Sequence, residues 1–579
     1  MSTPRQRLHL TSIWFFSLAL ALVFHPSWLS AQTATRDQDE LVSQAETFRK
    51  RQEGLPPQPE EKPQIVLEEE KKAPEQPEGP VFFVKKIKLE GNTLFSDKDF
   101  EPLVSQFENH DTTFGNLRSL AQLITNHYRA NGFSTSRAYI PPQKVRDDMI
   151  TIKVIEGKVS EVYIQDKKYF SDKFYEDFLI MRKDRIFRYQ DLEQSLYALN
   201  RNPNITAKAY LIAGKELATS DIILKTQETA PFRAYYEFSN SGSVLTHRAR
   251  HTYHINHDSL FGRGDRLALT LTQAEQRAIL AGAAQYSFPI EKLGITLSVS
   301  TSYVESALVK HLRTSEIEGK SWSVVPGITK TFIRNLKYTL DGFVGLEVKD
   351  SKTTIGGPKS AFDRMRVLRA GPRLSVQDRY GRTIIASDVH WGIKDFLGSS
   401  DKQDFNASRH RSGGEFVYYT GSLTRINRLP YESFMVFRAT GQWTHQNLTS
   451  VEQFRAGGAF SVRGHPESEA LGDAGLNASL ELNFPPPIVP DNWTIPYLNK
   501  PLSRAVRFIT FFDLGTTYMI KRVPETELDD RLLMGTGWGL RVDLDRYFTL
   551  QMDYGIPLGN DNSSDKNRNQ IHLSVTSGF

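Results

Sequence analysis

No cysteine occurs in the 579 residues, so the chain has no disulfide framework, no thiolate metal site and no thiol nucleophile. That absence suits a bacterial periplasmic or outer-membrane protein. Excess charge is scarce as well. The 72 Lys and Arg stand against 67 Asp and Glu, and a formal +5 over so long a chain gives no basis for nucleic-acid binding. Long apolar runs are missing beyond the first stretch of the chain, and mean hydropathy is −0.43, which excludes a bundle of membrane helices. A membrane β-barrel is not excluded, because lumen-facing residues dilute the lipid-facing ones and each strand needs only ~9–11 residues. Catalytic signatures are also missing: there is no Gly-x-Ser-x-Gly elbow, no His-Glu-x-x-His helix and no Gly-x-x-x-x-Gly-Lys phosphate loop. No enzyme activity, cofactor or metal is expected. His247, His251, His254 and His257 cluster, and in a strand the first, second and fourth share a face. A metal centre needs tighter geometry and supporting partners, so barrel or loop histidines are the better account.

What is present starts with Arg5 and Arg7, an apolar run from Ile13 to Phe24, Pro26 and a cleavage position after Ala31. Residues 1–31 therefore read as a secretory signal peptide, too short for the ~20 apolar residues of a spanning anchor. Leu29 departs from the small-residue rule at that cleavage site. Within residues 32–52, Leu41, Val42, Ala45 and Phe48 have the spacing of a short amphipathic helix with no sequence neighbour to pack on. It is either a solvated tail or a mobile element that docks elsewhere. Residues 53–80, rich in Pro, Glu and Lys, cannot build a core and read as an extended linker.

An internal repeat follows. Phe95-Ser96-Asp97-Lys98 recurs as Phe170-Ser171-Asp172-Lys173, an offset of 75 residues. At the same offset Ile87 and Leu89 match Val162 and Ile164, while Leu117, Ala121 and Ile124 match Leu192, Leu196 and Leu199 on one helical face. Two copies of one α+β unit, residues 81–156 and 157–228, are expected, rather than two unrelated modules. Each reads as strand, short helix capped by its Ser-Asp pair, longer helix and two strands.

From Pro231 the pattern becomes alternating strands. Leu476, Ala478, Leu480, Leu482 and Phe484 share one face, with Asn477, Ser479, Glu481 and Asn483 on the other. Soluble sandwiches alternate too, but here Ile571, Leu573, Val575 and Phe579 carry the pattern to the terminal position. The 349 residues after position 230, at ~22 per strand with its loop, make about 16 strands, and an even number is expected of a barrel. In the stretch Gly457 to His465, Arg463 sits in a glycine-flanked turn between two such strands. This predicts a loop, about 456–475, that folds into the barrel with Arg463 at its tip.

The β-α-α-β-β order of the repeat resembles the polypeptide-transport-associated (POTRA) domain. Gly91-Asn92 fits that family's turn after the first strand, whereas the second copy has Asp166-Lys167 there. Taken together, signal peptide, helix, linker, two POTRA units and a terminal Phe barrel resemble the TpsB transporters of two-partner secretion, within the superfamily of outer-membrane assembly factors. The sharpest matches are Val462-Arg463-Gly464 to the superfamily's loop motif, and Phe511, Asp513 and Gly515 to its Phe-x-Asp-x-Gly strand motif. The family usually has an aromatic where this chain has His465.

The resemblance implies α+β POTRA domains followed by an outer-membrane barrel, residues 229–579, with the POTRA domains in the periplasm. It implies a large secreted exoprotein as partner, an adhesin or haemolysin of the TpsA type. It also implies outer-membrane lipids and, during biogenesis, the barrel assembly machinery, with Phe579 as assembly signal. The helix at residues 32–52 would plug the pore. Strand parity turns Asp513 toward the lumen, where it could meet Arg463 as a lock between loop and barrel. Two other classes stay open: a factor that inserts other barrels, which should carry more POTRA units and no plug, and an outer-membrane enzyme or receptor, which should show a recognisable site.

Overall fold

The computed structural model describes residues 64–67 and 80–578, apart from 146, 309–316, 336, 357–358, 403, 405, 487–492, 497–499, 522–528, 545–547 and 560–567. The expected signal peptide, the helix bearing Leu41, Val42, Ala45 and Phe48, and the terminal Phe579 lie outside the described residues.

Five residues of the linker are described, 64–67 and 80, and three of them form a strand, β1 (Ile65–Leu67). The first α/β unit then runs β2 (Phe82–Val84), β3 (Lys86–Glu90), α1 (Asp97–Val104), β4 (His110–Thr112), α2 (Phe114–Ala130), β5 (Arg137–Tyr139) and β6 (Met149–Ile155). The second runs β7 (Lys158–Gln165), α3 (Asp172–Phe178), α4 (Tyr189–Asn200), β8 (Ile205–Ala213) and β9 (Thr219–Glu228). Their sheets are ordered β3-β6-β5 and β1-β8-β9-β7, the same arrangement twice with one strand added in the second. The linker was expected to be merely extended; instead β1 pairs in parallel with the outer edge of β8, and Ile65 packs on the second unit's core.

The repeat explains why both units fold alike. Ser96 starts α1, its backbone N–H and Oγ both donating to Asp99 at 2.8 Å, and Ser171 starts α3 by accepting from the Phe174 N–H. Leu117, Ala121, Ile124 and their counterparts Leu192, Leu196, Leu199 are all buried on the sheet-facing side of α2 and α4. The departure at the turn after the first strand is smaller in space than in sequence. Gly91 has φ +93° and Asp166, its counterpart, φ +64°, because aspartate is among the few residues that tolerate the left-handed region.

One shared device was not anticipated. Glu156, just past β6, accepts hydrogen bonds from the N–H groups of Thr93 and Leu94 and from the Tyr128 hydroxyl. Glu228, at the end of β9, accepts from the N–H groups of Lys168, Tyr169 and Phe170 and from the Tyr175 hydroxyl. Burial first, and the hydrogen bond to the glutamate second, raise both tyrosines above the ordinary phenol value, so they stay protonated donors. In each unit a carboxylate beside the end of the last strand thus ties down the loop that leads into the first helix.

Sixteen antiparallel strands then close into a barrel, from Phe232–Ser239 to Gln570–Gly578, the last pairing with the first from Tyr235↔Gly578 to Ser239↔Ser574. Closure removes the free sheet edge, whose unpaired N–H and C=O groups would cost several kcal/mol each in hydrocarbon. The alternation places Leu476, Leu480, Leu482 and Phe484 on the outer surface and buries Glu481 and Asn483 inside. The second α/β unit is fastened to the barrel's near turns. Ser171 donates from N–H and Oγ to the Gly262 carbonyl at 2.9 and 2.8 Å, Asp177 faces Arg263 and Lys292, and Asn204 donates to Asp258.

Replacing Glu156 by alanine leaves several buried donors without an acceptor. It is expected to cost the first unit about 2–4 kcal/mol, read as at least tenfold faster amide exchange at Thr93 and Leu94 with the barrel amides unchanged.

Candidate functional site

The segment joining strands Phe434–Thr444 and Ala474–Phe484, residues 445–473, turns back into the barrel. It begins earlier than residue 456, the start expected from the sequence, because its first part already lies on the lumen wall. A short ribbon, Phe454–Ala456 against Ala470–Gly472, stiffens it, and Ala456, Val462 and Ala470 form a small apolar cluster with Leu533 of the wall. At the tip Gly464 has φ +101°, and a side chain there would stand 2.8 Å from the Ile556 carbonyl carbon, so only glycine fits.

The wall is cut away to receive this tip. A Cβ at Gly515 would lie 2.6 Å from Val462 Cγ2, one at Gly535 would run into the Arg463 carbonyl oxygen, and one at Gly555 into the Gly464 N–H. The glycine of the strand motif, Gly515, thereby makes room for the valine of the loop motif.

Arg463 is buried, and the structure brings it onto Asp513, which has no exposed surface at all. The Arg463 backbone N–H donates to Asp513 Oδ2 at 3.0 Å, Nε to Oδ2 at 2.8 Å and Nη2 to Oδ1 at 2.9 Å. The guanidinium centre lies 3.5 Å from the middle of the Phe511 ring, so the motif's aromatic supplies a cation–π platform. A planar fork on a carboxylate, with a ring beneath it, is a geometry lysine cannot reproduce.

The sequence reading did not name the remaining partners as site residues. Glu481 accepts from Arg463 Nη1 at 3.0 Å, Ser479 Oγ accepts from Nη2 at 3.2 Å and donates to Asp513, and Asp553 lies 3.6 Å away. Arg541 in turn forks onto Asp553 at 2.6 and 2.9 Å. The signal available was parity: Glu481 and Arg541 take inward positions on the two strands flanking that of Asp513, and Asp553 on the next strand along. An exposed pair of this kind contributes ~0–1 kcal/mol, but removing one partner of a buried pair costs about 3–5 kcal/mol. Chemically, the arrangement joins the loop tip to three strands of the wall through buried charge pairs and hydrogen bonds.

His465 is also buried, and its Nε2 lies 2.9 Å from the Met534 carbonyl. A carbonyl only accepts, so Nε2 carries the proton, and the histidine bonds the tip to strand Arg531–Leu544 where the family usually places an aromatic. The four clustered histidines do not converge. His254 faces the lumen near Thr270 and Glu237, whereas His251 stacks outside on Tyr236, and no group of three metal-ligating residues occurs among the described residues.

Comparison with known proteins places this geometry. The sequence matches the family described as "Haemolysin secretion/activation protein ShlB/FhaC/HecB" over residues 218–542 and "POTRA domain, ShlB-type" over residues 82–157. It is 20% identical over 486 residues to the heme/hemopexin transporter protein HuxB of Haemophilus influenzae, covering 82% of this chain and 83% of that one. It is 22% identical over 487 residues to the outer membrane transporter CdiB of Dickeya dadantii, covering 83% and 84%. Among solved structures, CdiB from Escherichia coli superposes with a TM-score of 0.68 at 18% identity, covering 96% of this chain and 100% of that one. BamA from Haemophilus ducreyi superposes with a TM-score of 0.52 at 16% identity, covering 86% and 99%, which is a likeness of fold. The chain belongs to the ShlB/FhaC/HecB family of haemolysin secretion/activation proteins, and it is an outer-membrane transporter of the two-partner secretion type.

Proposed function

We propose that this transporter captures its exoprotein unfolded at the POTRA sheet edges, passes it through the barrel without nucleotide hydrolysis or any other catalysis, and uses Arg463 and Asp513 as a lock that sets the loop inside the pore. The observation that carries the proposal is the buried Arg463–Asp513 fork, with the wall glycines shaped to the loop tip. A contact that costs several kcal/mol to break holds one loop position against alternatives.

Capture follows from the sheet edges. Among the described residues, β5 pairs only with β6, leaving its outer edge open to an added strand. In the second unit the equivalent strand, β8, already carries the linker strand β1, so an edge of this type does accept an extended segment. Binding through backbone hydrogen bonds needs little sequence specificity, as befits an unfolded client. The client would be a large exoprotein of the adhesin or haemolysin kind. Folding outside the cell would make its passage irreversible, since the periplasm holds no ATP. The helix at residues 32–52, with Leu41, Val42, Ala45 and Phe48 on one face, would plug the pore at rest. Phe579 would present the chain to the barrel assembly machinery, and membrane lipids would surround the finished wall.

Arg463→Ala is expected to lower secretion about a hundredfold or more, the population shift implied by losing ~3 kcal/mol, while the barrel still reaches the membrane. Undiminished secretion would refute the lock. Gly515→Val, which touches no charge, should give the same defect by pushing Val462 out of its seat. Deleting residues 35–52 should raise single-channel conductance in planar bilayers, and unchanged conductance would count against the plug.

A further inference from the structure

The inward loop is held at its roots as well as at its tip. The second POTRA unit is fastened to the turns after the barrel's second and fourth strands, so the connections after the ninth, eleventh and thirteenth strands leave at the opposite end. The inward loop is the second of these. Asp473, its last residue, has no exposed surface. Its Oδ1 accepts the Leu448 N–H at 2.9 Å, which draws the two roots together, and its Oδ2 accepts the Ile520 N–H at 2.7 Å from the connection after the thirteenth strand. Gln442 spans the same roots, donating to the carbonyls of Glu452 at 2.8 Å and Asp473 at 3.0 Å.

The cation for this carboxylate comes from the third connection. Arg409 lies within residues 393–416, between the ninth and tenth strands, and is fully buried. Its guanidinium forms an ion pair with Asp473 and also donates to the Leu448 carbonyl at 3.1 Å and the Ile520 carbonyl at 3.3 Å. Leu448 and Ile520 are therefore each bonded twice, by N–H to Asp473 and by carbonyl to Arg409. The segment that carries Arg409 is bound in turn to strand Lys359–Asp378, where the Ser408 N–H donates to Asp363 at 3.0 Å and the Phe362 N–H to the Asn406 carbonyl at 2.7 Å. The loop thus hangs between two buried arginine–aspartate pairs of opposite sense: the loop supplies the arginine at its tip and the aspartate at its root. The ribbon of Phe454–Ala456 and Ala470–Gly472 starts next to Asp473, so a shift of the root is carried towards the tip. We propose that Arg409 is a positioning residue for secretion: paired with Asp473, it sets the roots of the inward loop so that the tip brings Arg463 onto Asp513. This rests on the reading that export depends on the position of the tip.

The test combines amide exchange in the full-length protein with secretion from the same strains. Arg409→Ala leaves a buried carboxylate without its cation, and is expected to speed exchange at Val462 to His465 about tenfold and to lower secretion by a similar factor, with the wall amides as protected as in the parent. Arg409→Lys keeps the charge but not the fork that also reaches the Leu448 and Ile520 carbonyls; it should fall between alanine and the parent, and it serves if the alanine variant fails to fold. Faster exchange confined to residues 406–412 and 448–450, with the tip protected as in the parent, would show that Arg409 steadies only its own surroundings and would overturn the proposal. Parental secretion in both variants would overturn it too. Arg463→Ala separates the two ideas: if it secretes normally the lock falls, while tip exchange in the Arg409 variants still decides whether the roots position the tip.

Discussion

A guanidinium removed from water must be surrounded by carboxylates, and that requirement organises the inside of this barrel. Arg463 is delivered to the lumen by a loop that left the wall at Thr444, and it finds Asp513, Glu481 and Asp553 on three different strands. Those carboxylates would be costly without a cation, and the cation would be costly without them. The wall answers in shape as well as charge, since Gly515, Gly535 and Gly555 open the space in which the loop backbone lies. Loop position, strand sequence and lumen charge are thus one constraint expressed three ways.

From that fixed point the rest of the transporter can be ordered along a path. The second POTRA unit sits against the barrel's near turns through Ser171, Asp177 and Asn204, so a chain bound at the POTRA edges is delivered to the mouth of the pore. The linker strand on β8 occupies one of those edges, and the loop lies against the inner wall beyond them. Two kinds of contact recur along that path, backbone pairing at the β8 edge and charge pairing in a dry interior. The first tolerates any sequence; the second tolerates almost no substitution.

Much of this was legible in the sequence because periodicity survives folding. The 75-residue repeat, the sheet-facing leucines of both units, the sixteen-strand barrel and the inward parity of Asp513 all follow from spacing alone. What was not legible depends on contacts between distant residues. Glu156 and Glu228 look like ordinary charged strand ends until the loops at Thr93 and Lys168 are brought beside them. Ile65–Leu67 sits in proline-rich, charged surroundings, and only the free edge of β8 makes it a strand. His465 departs from the family pattern, and its bond to Met534 is visible only once the loop tip is placed against the wall. Asp553 and Arg541 carry no motif; their place in the site follows from the order of strands around the barrel.

The position of the loop depends most directly on the energy between Arg463 and Asp513. A double-mutant cycle with Arg463→Ala, Asp513→Ala and the pair, read by exchange of the loop-tip amides in the folded barrel, isolates it. A coupling of about 2–5 kcal/mol is predicted, so that the second substitution adds little once the first is made. Additive effects with no coupling would show that the two residues do not hold the loop together, and would contradict the central claim.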